Sequence, residues 1–79
     1  MQTERIISGP DRWELIGSFI DREGIEFTIE GGRKIGGIVS SIQHEDGSGK
    51  SFILILSTLQ RTLRVYYNAD SRTGHVKRP

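Results

Sequence analysis

Residues 25–39, IEFTIEGGRKIGGIV, decide the fold class. Ile25, Phe27 and Ile29 alternate with Glu26, Thr28 and Glu30, the period-2 pattern of a strand with one buried face. After Gly31 and Gly32 the alternation resumes at Ile35, Gly37 and Val39. Putting both apolar sets on one face sets Ile29 opposite Ile35 and leaves Gly31, Gly32 and Arg33 as a three-residue loop. Such loops use a left-handed residue, which glycine adopts without strain. The same register sets Glu30 opposite Lys34, a cross-strand pair worth ~0.2–1 kcal/mol, and lays Phe27 over Gly37. A one-residue slip would turn the apolar set outward.

On the N-terminal side, residues 8–24, SGPDRWELIGSFIDREG, read as a helix. Ser8 or Gly9 caps it, Pro10 suits its first turn, and Asp11 favours the positive end of the dipole. Trp13, Ile16 and Ile20 lie on one face, with Leu15 and Phe19 beside them. Gly24 is a C-terminal stop. Gly17 costs about 1 kcal/mol in a helix interior, and a strand with Trp13, Leu15 and Phe19 on one side is the competing reading. Residues 1–9 are expected to form a loose arm, residues 10–24 the helix and residues 25–77 a β-barrel.

On the C-terminal side, the second strand runs on through Ile42, with Ile38 and Ile42 facing away from Ile35 and Val39. Residues 44–50, HEDGSGK, are a polar turn. Residues 51–59 hold Phe52, Ile53, Leu54, Ile55 and Leu56 in succession, which predicts a central strand buried on both faces. Gln60 and Arg61 make a turn. Leu63, Val65 and Tyr67 then alternate against Arg64 and Tyr66, and a short strand at residues 75–77 follows a loop at 68–74. The expected architecture is mainly β: one N-terminal helix, then a small, strongly bent, five-stranded antiparallel barrel.

With 79 residues the chain makes one domain. It has no cysteine, hence neither a disulfide framework nor a thiolate metal site. So small a domain without staples often gains stability from copies of itself. A net charge of +1 is too balanced to dictate a polyanion partner, although Arg61, Arg64, Arg72, Lys77 and Arg78 face only Asp70 in the last twenty residues. No apolar run approaches membrane-spanning length and no signal pattern opens the chain, so a soluble cytoplasmic protein is expected.

The chain resembles the Sm/LSm superfamily, with Hfq as the closest-looking branch. Ile25, Phe27, Ile29, Gly32, Ile35, Gly37 and Val39 fall where that family's first motif has its apolar alternation and its two glycines. VYYNADS at residues 65–71 resembles the Hfq segment in which Val-Tyr precedes Lys-His-Ala. Val65, Tyr66 and Ala69 match it, and Tyr67 and Asn68 stand in place of the lysine and histidine. Gln43 replaces the family's Asp, and the loop after it is longer and acidic. The resemblance implies a homo-oligomeric ring, a hexamer or heptamer, joined through strand edges, with single-stranded RNA bound around the pore and no cofactor. Exposed edges of apolar strands point the same way, because ring closure would pair them.

The candidate RNA-binding residues are Tyr67, Asn68, His44, Arg64 and Arg72, with Tyr66 beside them. Aromatic residues next to arginines suit base stacking with phosphate contact. The plain alternative makes one tyrosine core and the other a subunit contact. GSGKS at residues 47–51 lacks the first glycine and the following helix of a phosphate loop, and reads as a hairpin turn. His44, Glu45 and Asp46 with His75 are too sparse for a metal site. No serine or cysteine nucleophile has a positioned base, so no enzyme is expected. The competing function is an oligomeric assembly module that binds protein and has lost RNA.

Overall fold

A computed structural model of the chain describes residues 3–45, 47 and 49–77. Asp46, Ser48 and Arg78, named above, lie outside the described residues. The order is β1 (Thr3–Ser8), α1 (Arg12–Asp21), β2 (Ile25–Ile29), β3 (Lys34–His44), β4 (Ser51–Ser57), β5 (Thr62–Asn68) and β6 (Thr73–Lys77). Neighbouring strands pair antiparallel, and β6 returns to pair with β1, so the sheet is a closed barrel. The mainly β, single-helix, antiparallel barrel holds. The count of five strands becomes six, because the expected loose arm contains β1. That strand pairs with β6 from Thr3↔Lys77 to Ile6↔Gly74, and with β2 at Ile6↔Ile29. Only Ile6 on it is buried, and its register against β2 shifts after that residue, so no period-2 pattern marks it.

Each described strand has two neighbours in the closed sheet, and Ile38–His44 of β3 pair with β4 alone.

The β2–β3 hairpin is displaced two residues from the expected register: Phe27 lies opposite Ile35, Thr28 opposite Lys34 and Ile25 opposite Gly37. A shift of two keeps every side chain on its expected face. The loop is Glu30 to Arg33, closed by Ile29 N–H donating to the Arg33 carbonyl at 2.7 Å and Gly32 N–H donating to the Ile29 carbonyl at 2.9 Å. Gly31 and Gly32 both take positive φ there, 100° and 92°. Glu30 lies in the loop, and its N–H donates to the Arg5 carbonyl of β1 at 2.8 Å. Gly37 sits not under Phe27 but against the Ser57 carbonyl of β4, where a Cβ would collide with backbone. A glycine lets β3 pass that close to β4.

β3 also carries a bulge between Val39 and Ser41. The extra residue reverses the alternation, so Ile42 packs against the core instead of facing away. In β4 only Phe52, Leu54 and Leu56 are buried. Ile53 and Ile55 are half-buried on the outside, which corrects the expectation of two buried faces.

α1 is shorter than expected. Asp11 caps it in a reciprocal box: Glu14 N–H donates to Asp11 Oδ1 at 2.8 Å, and Asp11 N–H donates to Glu14 Oε1 at 3.0 Å. Arg22, in the left-handed region at φ 58°, ends it ahead of Gly24. The helix turns Leu15 and Ser18 to the barrel and leaves Trp13 and Ile20 largely exposed. Leu15 joins the core cluster of Ile6, Phe27, Leu54 and Val65. The buried Ser18 hydroxyl donates to the Glu23 carbonyl at 2.5 Å and accepts the Val39 N–H at 3.0 Å, tying the helix to β3.

Ser18→Ala removes the acceptor of a buried backbone N–H, which costs about 1–3 kcal/mol. Urea denaturation is expected to show that loss with unchanged far-UV circular dichroism. A variant as stable as wild type would contradict the role of this clamp.

Candidate nucleic-acid interface

In an antiparallel sheet, directly paired residues project from the same face. Following the pairings across the barrel therefore traces rows of outward side chains. One row runs Gln43, Ile53, Tyr66, His75 and Arg5, one residue from each of β3, β4, β5, β6 and β1. A second, two residues along, runs Ser41, Ile55, Arg64, Lys77 and Thr3 on the same strands. Neither row holds an acidic residue. Glu30 reaches the margin, where its carboxylate lies 3.6 Å from Arg5.

The middle of this face is aromatic. The Tyr66 and His75 rings stack with centroids 5.0 Å apart and planes at 16°. Lys77 Nζ lies 5.0 Å from the centroid of the Tyr66 ring, a cation–π arrangement. Beside them Ile53, Ile55, Tyr66, Arg64, Ser41 and Gln43 line a shallow hollow of about 260 Å³. Tyr66, His75, Ile53 and Ile55 are half-buried, while Arg64, Lys77 and Arg5 are exposed. The arrangement offers a flat ring and apolar floor at the centre, with cations around it.

Of the five residues expected from the sequence, only Arg64 stands in these two rows; Asn68, two residues beyond Tyr66, faces outward in the next row with Ser51 and Thr73. Tyr67 is buried at 2% exposure, edge-on to Phe27 with centroids 5.1 Å apart, and its phenol donates to the Pro10 carbonyl at 2.7 Å. It has no ring face free for a base, so the stacking role assigned to it gives way to a core role. Asn68 accepts the N–H groups of Asp70 and Ser71 at 2.9 and 3.0 Å, which builds the β5–β6 turn. Arg72 sits in that turn at φ 58°, its guanidinium 3.8 Å from Asp11. His44 ends β3 with its ring 5.0 Å from that of Phe52. Tyr67, Asn68 and Arg72 thus gather at the barrel end where α1 begins. His75, Gln43, Ile53 and Arg5 were missed as site residues, because only cross-strand pairing brings them together. The alternation of Tyr66 against Leu63, Val65 and Tyr67 is the signal that points outward.

Among the described residues no three His, Cys, Asp or Glu stand close enough to hold a metal, and no helix is long and apolar enough to cross a membrane. A strand, not a helix, follows the GSGK turn. In comparisons with known proteins, no family model, no curated protein and no solved structure matches the chain. The likeness to Sm proteins therefore rests on the residues quoted for it.

Burial pushes the Tyr67 phenol well above its ordinary range; Arg72 opposes the shift and Glu14 and Asp11 add to it. A folded-state value above the unfolded one, about 10, gives stability that is fully present below that pH and lost as pH rises through the folded value. Tyr67→Phe is expected to be less stable at neutral pH by about 1–2 kcal/mol, from the lost hydrogen bond and the abandoned carbonyl. The gap between wild type and variant is expected to narrow above about pH 10 in urea titrations. A gap independent of pH would mean that Tyr67 ionises as readily folded as unfolded.

Proposed function

We propose that the chain binds single-stranded RNA, without catalysis, on the outer face of β4, β5, β6 and β1. The Tyr66–His75 stack carries this reading, set among Arg64, Lys77 and Arg5 in rows without a carboxylate. A base stacks on an aromatic face whatever its identity, and cations follow the phosphates, which is the composition of single-strand sites. The site moves from the loops expected at a ring pore to the side of the barrel. Each copy then binds RNA without needing a ring.

With Arg5, Arg64 and Lys77 each meeting a phosphate, affinity is expected to fall roughly 20-fold between about 50 and 200 mM salt. Tyr66→Ala is expected to weaken binding by about 1–3 kcal/mol, the worth of one base–aromatic stack. Tyr66→Phe and Asn68→Ala are expected to bind nearly as wild type. Fluorescence anisotropy with a labelled oligouridine reads all four. Wild-type affinity in Tyr66→Ala, or an affinity indifferent to salt, would refute the site.

A further inference from the structure

The outward apolar stripe of α1 stays largely uncovered among the described residues. Trp13 is 77% exposed, Ile20 68% and Phe19 43%. The largest apolar patch on a typical monomer covers ~300–600 Å² and is often functional. At 100° per residue Trp13, Ile16, Gly17 and Ile20 fall on one stripe. Leu15 and Ser18, which hold the helix to the barrel, lie on the other side.

Nothing among the described residues requires a glycine at position 17. It sits mid-helix, where glycine is the poorest residue after proline. A Cβ there would meet only Glu23 Oε2, at an ordinary 3.9 Å. A missing side chain on an exposed helix face is useful to whatever packs against that face, because it lets a second helix come close.

We infer that α1 is a self-association surface, pairing antiparallel with α1 of a second copy about a two-fold axis. The stripe is spaced three, one and three residues apart, so it reads the same in both directions. In an antiparallel pair centred between Ile16 and Gly17, Trp13 of each copy covers Ile20 of the other, and each Ile16 enters the gap at the other Gly17. Arg12 and Phe19 share one flank, and a two-fold axis brings each guanidinium beside the other copy's Phe19 ring. At ~150–250 Å² for a whole aromatic side chain, the exposed fractions of Trp13 and Phe19 together with Ile20 give roughly 300–400 Å² of apolar surface per copy, somewhat under half of a standard interface of ~800 Å² per partner. α1 packs on β2 and β3 and does not pack on β4, β5, β6 or β1, which carry Tyr66, His75, Arg64, Lys77 and Arg5, so the pairing stands independently of the proposed RNA site.

Sedimentation velocity from low micromolar to millimolar protein tests this, with the emission of Trp13, the single tryptophan, as a second readout. Wild type is expected to move to twice 8.9 kDa as concentration rises, with Trp13 emission shifting to the blue. Ile20→Glu is expected to stay monomeric and folded, since Ile20 contributes little to the core. Gly17→Leu is expected to weaken dimerisation at least tenfold while raising the melting temperature of the monomer, opposite signs that a general folding defect would not give. A monomer at every concentration would overturn the inference. So would a dimer or larger ring that survives Ile20→Glu.

Discussion

The barrel depends on β1 pairing along both of its sides. Its partners are β2, reached through α1, and β6, at the far end of the described chain. With that strand in place every other strand has two neighbours, and β3, which pairs with β2 only up to Gly37, has its Val39 N–H taken by the Ser18 hydroxyl instead. Without it β2 and β6 would be free edges, which aggregate unless covered. Closure also gives each strand an inside and an outside. The inside collects Ile6, Phe27, Leu54, Leu56, Val65 and Val76, all fully buried. Each contributes on the order of 1.5–3 kcal/mol by leaving water. The outside becomes a continuous surface on which residues distant in sequence stand side by side.

The adjacent tyrosines show how this geometry divides chemistry. Tyr67 points inward, where its phenol ties β5 to the Pro10 carbonyl just ahead of α1. One residue earlier, Tyr66 points outward and stacks on His75. The same ring chemistry is buried at one position and offered at the surface at the next, and only the pleat separates them. The helix repeats the division: Leu15 and Ser18 secure the barrel, while Trp13, Ile16 and Ile20 stay available for a partner.

Much of this was legible in the sequence. The hairpin at residues 25–39 and the alternation of residues 62–67 placed the core faces of β2, β3 and β5, because period-2 patterns report burial directly. The alternation also grouped Tyr67 with Leu63 and Val65. The likeness of residues 65–71 to an RNA-binding segment drew Tyr67 into the site against that pattern. Other features left no local trace. β1 has a single buried residue and is fixed by pairing with the other end of the chain. The bulge after Val39 reverses a phase that the residues alone continue. The hairpin register differs by two residues, a shift that leaves the alternation unchanged and so leaves no mark in the pattern. The candidate site was the least legible part, since its row draws one residue from each of five strands.

The most direct test is the backbone amide NMR spectrum of the isotope-labelled chain, titrated with a short single-stranded RNA. The account predicts shifts at Ile53, Arg64, Tyr66, His75 and Arg5, with Asn68, Arg72 and His44 unmoved. Shifts gathered at Asn68, Arg72 and His44 would return the site to the barrel end, and a spectrum unchanged by RNA would contradict the binding face altogether.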